Sequence, residues 1–264
     1  RTGGIRVPDS SALTVVGDGN LTINLNSGKY FGIGNSLDEY HGELNFYQDG
    51  GIIINANGMK GIGIGSGLGG VINIKRGHYE FDMKGQEGAC IGSVNGDSEL
   101  FIEYCDMDIY SGISNGTIIG SVNGDADIKL ENISAKLQGA GNVITGIGTI
   151  AGNSCMVRLE NVNISSNIRA KECYGIGCRA GRTDIYIGYA AVKSVVQGKA
   201  AVAFGNSIMS AKLYCSNADV GTNAVTEFNS DIGALEKNIQ LENGRAEFIL
   251  NGQEVKRQIL AARL

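Results

Sequence analysis

The chain has 264 residues, of which 41 are glycine, one is proline and 42% are apolar, a composition that excludes both collagen and a disordered tail. Its net charge is −5, from 22 basic and 27 acidic residues without blocks of like charge, so we expect no direct contact with nucleic acid. No apolar run approaches the roughly 20 residues that a membrane-spanning helix needs, and no signal peptide is visible.

The first residues predict an incomplete coil. Residues 1–30 hold the alternating apolar positions Leu13, Val15, Leu21, Ile23 and Leu25, which is the pattern of half-buried strands. Because the chain begins with arginine and not methionine, we expect a further segment on its N-terminal side, against which this coil would pack.

A repeat follows over residues 31–244. A bulky apolar residue followed by glycine returns at intervals of 27 to 31 residues, at Gly34, Gly65, Gly92, Gly120, Gly148, Gly177, Gly205 and Gly233. Self-similarity at a fixed period of this length is typical of a solenoid.

Each repeat contains three short alternating segments. In one unit they are centred on Ile91, on Leu100 with Ile102, and on Met107 with Ile109. Three strands with their turns make one rung of a parallel β-helix, right-handed by default. The sequence therefore predicts an all-β fold of eight to nine coils of about 28 residues, forming a rod on the order of 40 Å long.

The turns between the first two segments repeat as well. GSVNGD occurs at 92–97 and again at 120–125, so we expect Gly96, Gly124, Gly152 and Gly181 to form a column in which glycine takes positive φ. The residues that follow make a second column, Asp97, Asp125, Asn153 and Arg182. Turn chemistry explains this column better than a calcium β-roll does, because the nine-residue period of such rolls is absent.

Residues 245–264 predict a C-terminal cap. Asn251-Gly252 is a strong β-hairpin signal within residues 247–255, whereas residues 256–264 fit either a last strand or a short helix. Since no linker interrupts the repeat, we expect one domain over residues 1–264.

A binding surface on a solenoid should appear as a column of similar residues. The outer side of the second segments presents such a candidate for a partner protein or carbohydrate: Phe101, Lys129, Arg158, Tyr186 and Tyr214. The alternative is an ordinary solvated sheet face whose aromatic residues were chosen for strand propensity.

A second column on the same face consists of Glu103, Glu131 and Glu160. Stacked carboxylates are candidate calcium ligands. However, Lys129 and Arg158 lie two positions away and would neutralise them, so the sequence favours a ladder of surface salt bridges and no metal.

Catalytic groups are sparse. His41 and His78 fall at different phases of the repeat, so a serine or cysteine nucleophile would lack a base. The six cysteines show no metal or redox spacing and predict buried thiols, which suit a reducing cytoplasm. We therefore expect no enzyme and no cofactor.

The segments GIGIGSGLGG, GACIGSVNGD, GTIIGSVNGD and YGIGCRAG resemble glycine-rich β-helix repeats of Gram-positive gut bacteria. The opening GGIRVP at 3–8, leading into LTVVGDGN, is similar to repeats attached to LacI-type helix-turn-helix regions. The resemblance implies a bacterial protein whose DNA-binding segment lies outside this chain.

Three hypotheses about function remain. The first is a non-catalytic domain for ligand sensing, protein interaction or assembly in a cytoplasmic transcription regulator, with a homo-oligomer formed through a coil end or an upstream segment. The second is a cell-surface or secreted module that binds carbohydrate or a host protein. The third, a polysaccharide lyase or hydrolase, is disfavoured because a columned rod presents ridges and not a cleft with paired acids.

Overall fold

The computed structural model describes residues 3–207, 209, 211–227 and 239–260, with the backbone alone at 239 and 255–260. Every regular element in these ranges is a β-strand. As predicted, the fold is an all-β parallel solenoid of about 8 turns of about 28 residues. Among the described residues no helix is long and apolar enough to cross a membrane.

The strands form two sheets. The nine-stranded sheet contains the short strands, in the spatial order of the sequence: β2 (Ala12–Gly17), β4 (Glu43–Gln48), β6 (Gly69–Ile74), β8 (Asp97–Glu103), β10 (Ala126–Glu131), β12 (Ser154–Glu160), β14 (Arg182–Gly188), β17 (Ala211–Ser216) and β19 (Ile239–Glu242).

The twelve-stranded sheet contains the remaining strands, most of them long: β1 (Gly3–Arg6), β3 (Leu21–Gly34), β5 (Gly51–Ser66), β7 (Gly77–Ser93), β9 (Cys105–Ser121), β11 (Ser134–Thr149), β13 (Asn163–Cys178), β15 (Ala191–Gly198), β16 (Ala200–Gly205), β18 (Asp219–Thr226), β20 (Gly244–Leu250) and β21 (Gln253–Leu260). The chain passes once into each sheet per coil, so residues about 28 apart become neighbours.

The predicted third segment of one coil and first segment of the next run together in the long strands. In β7, for example, pairing with β9 is continuous from Gly77 opposite Cys105 to Ser93 opposite Ser121, apart from single unpaired positions. The parallel pairing of β7 with β9 therefore continues from the third segment of one coil into the first segment of the next. Within the described residues, a coil shows three distinct strands only where β15 and β16 separate.

The core follows the repeat. Ile91 lies directly opposite Ile119, as expected for coils that stack in register. Where the structure describes them, the side chains before the repeated glycines are fully buried and stack on one another: Ile33, Ile64, Ile91, Ile119, Ile147, Ile176 and Phe204. A smaller apolar cluster lies under the copied turns and consists of Leu37, Ile62, Val94, Val122 and Ile150.

The repeated glycines are required by two features of the backbone. From Gly34 to Gly205 all seven described glycines of the repeat have φ between 95° and 136°, and we call this column the glycine ladder. A Cβ atom on any of the first six would lie 1.8–2.1 Å from the carbonyl oxygen of the next glycine in the ladder. Both the left-handed conformation and the close approach of the coils therefore exclude a side chain.

The turn glycines form the predicted column, but the predicted reason was wrong for three of the four. Only Gly181 has positive φ, at 111°. At Gly96, Gly124 and Gly152 a Cβ atom would instead lie 1.8, 2.1 and 2.4 Å from a carbonyl oxygen of the preceding coil. Close packing of the turns, and not backbone conformation, selects glycine there.

The two ends of the stack differ. The predicted hairpin is confirmed, because β21 pairs antiparallel with β20 and the turn residues Asn251 and Gly252 have φ of 49° and 79°. Residues up to 260 extend as a strand, whereas residues 261–264 and the repeat pair Ile232-Gly233 lie outside the described residues. At the other end, β2 is the edge of the nine-stranded sheet.

Candidate functional site

The five residues predicted as a binding strip lie in one column on the outer face of the nine-stranded sheet. Phe101 pairs with Lys129, Lys129 with Arg158, Arg158 with Tyr186, and Tyr186 with Tyr214. We call these five residues the outer strip. The strip residues alternate along their strands with fully buried residues such as Ile128 and Leu130, so their own side chains point away from the core.

The two tyrosines of the outer strip stack on each other. The ring centroids of Tyr186 and Tyr214 lie 4.9 Å apart and the ring planes differ by 5°. In this arrangement each ring covers one face of the other, and the pair turns ring edges and hydroxyl groups toward solvent. The strip therefore offers a narrower apolar surface than two free tyrosine rings would.

The two cations of the outer strip are paired with carboxylates. Lys129 Nζ lies 2.6 Å from Glu131 on its own strand, and Arg158 lies 2.6 Å from Asp127 on the preceding strand. The hydrogen bond to Glu131 is the main cause that raises the pKa of Lys129. These exposed ion pairs leave the strip close to neutral and contribute little to stability.

The glutamate column is also present, with Glu131 opposite both Glu103 and Glu160. Glu131 is engaged by Lys129, the contact expected from the sequence, whereas Glu103 is engaged by Lys75, which the prediction did not name. Arg158 differs from the prediction, since it contacts Asp127 and not Glu160. Among the described residues no cluster of three or more His, Cys, Asp or Glu side chains is arranged to hold a metal ion.

The turn column beside the sheet works as a hydrogen-bonded ladder. Asp97 accepts the backbone N–H of Asp125 at 2.8 Å, and Asp125 accepts the N–H groups of Asn153 and Ser154 at 2.6 and 3.0 Å. Arg182 continues the column through its own backbone N–H. These contacts fit the turn chemistry predicted for the column, and the carboxylates line a shallow groove of about 760 Å³.

A further column was missed in the sequence. It occupies the corner where the chain leaves the nine-stranded sheet, and every member has left-handed φ between 46° and 54°. We call it the corner column: Tyr104, Asn132, Asn161, Tyr189, Asn217 and Asn243. The backbone N–H of each of the first five donates to the end of the next strand, which fixes the corner in the same shape in every coil.

Asparagine is the expected residue at such a corner, because its short polar side chain tolerates the left-handed region. Tyrosine is not, and holding a bulky residue there costs about 1–2 kcal/mol. The sequence signal was the recurrence of asparagine directly after the strand ends at Glu131, Glu160, Ser216 and Glu242. Tyr104 and Tyr189 interrupt that recurrence and hide it.

The corner column borders an open groove of about 1110 Å³ that runs along six successive coils. Its floor consists of buried small or branched side chains: Ile133, Val162, Ala190 and Ala218. Tyr189 lines the groove and is 64% exposed, whereas Tyr104, in the same column two residues before Asp106, does not line it and is 59% exposed. These are the two most exposed aromatic side chains of the described residues.

The residues considered for nucleophilic chemistry lie apart from these surfaces. All six cysteines are free and buried, and burial raises the pKa of the Cys90, Cys105 and Cys215 thiols to about 12. His41 is buried before β4, where burial lowers its pKa, whereas His78 is exposed on β7. The structure does not bring either histidine together with a cysteine by hydrogen bonding.

Comparison of the chain with protein-family models, with curated proteins and with solved structures gave no match.

Proposed function

We propose that this chain is a non-catalytic β-solenoid module for ligand sensing, protein interaction or assembly in an intracellular transcription regulator. The observation that carries the proposal is the outer strip, in which five aromatic and cationic side chains stand in register on one flat sheet face. A row of this kind is suited to a partner that contacts several coils at once.

The stacking of Tyr186 on Tyr214 supports a protein partner for the strip. A sugar ring binds an aromatic side chain through the face of the aromatic ring, and here the two facing ring surfaces cover each other. Ring edges, hydroxyl groups and the aliphatic parts of Lys129 and Arg158 remain outward. Such a mixture of aromatic and arginine side chains is typical of protein interfaces.

The cysteines support a reducing compartment. All six thiols are free in the structure, although the chain has enough of them for three disulfides. Disulfides accumulate in oxidising compartments and are rare where thiols are kept reduced. Together with the resemblance to repeats attached to LacI-type helix-turn-helix regions, this favours an intracellular regulator.

The test is the coding sequence on the N-terminal side of residue 1, followed by expression of the full reading frame. The proposal expects a helix-turn-helix segment and sequence-specific DNA binding that survives the double substitution Tyr186→Ala/Tyr214→Ala, while the response of the regulated promoter is lost. A secretion signal in place of the helix-turn-helix segment would contradict it.

The second candidate is a cell-surface module that binds carbohydrate or a host protein. It is favoured by the exposure of Tyr186, Tyr104 and Tyr189 along one side of the solenoid. A glycan array and a host-protein array test it. For the strip to be the surface involved, Tyr186→Ala/Tyr214→Ala must abolish the binding that the wild type shows.

A further inference from the structure

The corner groove has the shape of a site for a linear ligand. It follows the solenoid axis from Asp106 to Arg245, and its floor of buried apolar side chains is free of bulky exposed groups. Because each coil contributes the same corner, equivalent wall residues recur about every 4.8 Å along the groove. A ligand with a repeating structure would meet equivalent contacts in each coil.

The groove has a mostly apolar surface with polar walls, and its charged residues are Asp106, Asp219 and Arg245. Its walls carry the side-chain amides of Asn132, Asn161, Asn163, Asn217 and Asn243, together with the hydroxyl group of Ser134. Its one cation, Arg245, lies 2.9 Å from Glu247 and 3.9 Å from Asp219, so it is compensated. Asn161 Nδ2 donates to Asn132 Oδ1, which aligns the two amides along the groove. Their remaining N–H groups and oxygen lone pairs, in a groove without free cations, fit a neutral ligand rich in hydroxyl groups.

Turn chemistry accounts for the asparagines but not for the two tyrosines. At Tyr104 and Tyr189 the chain holds a bulky side chain at φ of 53° and 46°, where its neighbours in the column are asparagine. Conformational strain of this kind is retained at functional sites. Neither ring stacks on another aromatic ring, and neither hydroxyl group has a hydrogen-bond partner within the part of the chain that the structure describes.

Tyr104 and Tyr189 are separated by two asparagines of the same column, Asn132 and Asn161. The three intervals place the tyrosines roughly 14 Å apart along the axis. The arrangement is therefore an exposed aromatic ring, two amides and a second exposed aromatic ring, all on one line.

From these observations we propose that the corner groove binds a linear neutral oligosaccharide, with sugar rings against Tyr104 and Tyr189 and hydroxyl groups hydrogen-bonded to Asn132 and Asn161. The site is separate from the outer strip and stands whether the module belongs to a regulator or to a surface protein.

Affinity electrophoresis tests the proposal across several classes of polysaccharide. The folded chain is run through native gels that contain hydroxyethylcellulose, arabinoxylan, glucomannan, mixed-linkage β-glucan or soluble starch, with polygalacturonate as the acidic comparison. At least one neutral polysaccharide is expected to retard the protein. Titration calorimetry with the linear hexasaccharide of that polymer then gives the dissociation constant.

The informative variants are Tyr189→Asn and Tyr104→Asn. Each places at the corner the residue that its neighbours already carry, so the fold is kept while the ring is removed. We expect each variant to bind at least about tenfold more weakly, since exposed aromatic anchors dominate such contacts. The control variant Tyr47→Asn, which alters an exposed tyrosine elsewhere on the nine-stranded sheet, should bind as the wild type does.

Three results would overturn the proposal: retardation by none of the neutral polymers, retardation by polygalacturonate alone, or wild-type affinity in Tyr189→Asn. Loss of binding in Tyr186→Ala/Tyr214→Ala with retention in Tyr189→Asn would assign the carbohydrate to the outer strip instead. The melting temperature of every variant is measured as well. Tyr104→Asn and Tyr189→Asn are expected to melt at or above the wild-type temperature, which excludes unfolding as the cause of weaker binding.

Discussion

Asp125 Oδ1 lies 2.6 Å from the backbone nitrogen of Asn153, one coil further along the stack, and accepts its N–H group. The same oxygen accepts the N–H of Ser154 at 3.0 Å. One side chain thus satisfies two backbone donors of the next turn. We expect Asp125→Ala to lower the free energy of unfolding by about 1.5–3 kcal/mol, because hydrogen bonds to charged groups contribute in that range.

Urea denaturation followed by circular dichroism checks this value. The matched control is Asp127→Ala, which removes an exposed carboxylate in the same coil whose partner is the Arg158 side chain. A surface ion pair contributes about 0–1 kcal/mol, so the control should change stability less. Equal losses in the two variants would mean that the aspartate ladder is not a stabilising feature.

A substitution in the glycine ladder should lower the free energy of unfolding more than Asp125→Ala does. In Gly148→Ala the new Cβ atom would lie 1.9 Å from the carbonyl oxygen of Gly177, at a residue whose φ is 133°. Since backbone must move on both coils, we expect a loss of more than about 4 kcal/mol, or no soluble folded protein. The control is Gly28→Ala in β3, where a Cβ atom has nothing within 4 Å. That variant should be as stable as the wild type or more stable by about 0.4–1 kcal/mol. A Gly148→Ala variant with wild-type stability would contradict the close approach of the glycine backbones.

His41 predicts a dependence of stability on pH. Burial lowers the pKa of this histidine in the folded protein below its ordinary value of 6.5, so below that value the unfolded chain binds more protons than the folded one. The stability that the neutral ring provides is complete above about pH 6.5 and is lost as pH falls through the lowered pKa. Urea midpoints measured from pH 7.5 to pH 5.0 should fall in the wild type.

The same titration with His41→Asn should give a shallower decline, because the titrating group has been removed. His78→Asn, which alters the exposed histidine on β7, should keep the wild-type slope. A decline that is unchanged in His41→Asn would assign the acid sensitivity to other groups.

The stacked tyrosines predict a measurable coupling. In a double-mutant cycle of Tyr186→Ala and Tyr214→Ala, we expect a coupling free energy of about 0.5–1.5 kcal/mol, the range for aromatic pairs in contact. A cycle between Tyr186→Ala and Tyr47→Ala, whose side chains lie on distant coils, should give a value close to zero. Equal coupling in both cycles would show that the rings do not stack in solution.

The corner tyrosines predict a gain in stability on substitution. Tyr189→Asn removes the strain of a bulky residue held at φ of 46°. We therefore expect the free energy of unfolding to rise by about 1 kcal/mol. Asn161→Tyr, the reverse change one coil away, should lower stability by a similar amount. If Tyr189→Asn is instead destabilised, packing of the tyrosine side chain outweighs the strain of its backbone.

The columns of the nine-stranded sheet were predictable because the stack has an unshifted register. Once Ile91 is placed opposite Ile119, the positions of Glu103, Glu131 and Glu160 follow from their spacing alone. The outer strip follows in the same way. Periodicity therefore carries most of the fold and the location of the predicted surface.

The repeat period does not predict features that depend on backbone conformation or on side-chain rotamers. The left-handed corner was missed because Tyr104 and Tyr189 share no side-chain chemistry with the asparagines that stack beside them. The pairing of Arg158 with Asp127 was missed because a long side chain can reach a diagonal neighbour as easily as a residue on its own strand.

The unshifted register also means that the paired long strands tolerate the loss of chain best when a whole coil is removed. Gly92 lies opposite Gly120 and Ser93 opposite Ser121, so excision of residues 93–120 would join Gly92 to Ser121 with every column still aligned. Loss of a single residue from a long strand would instead shift its side chains to positions where the next coil needs bare backbone. Duplication and loss of complete rungs are thus the steps by which such a rod grows or shrinks, and the identical hexapeptides at 92–97 and 120–125 have the form that a duplicated rung leaves behind.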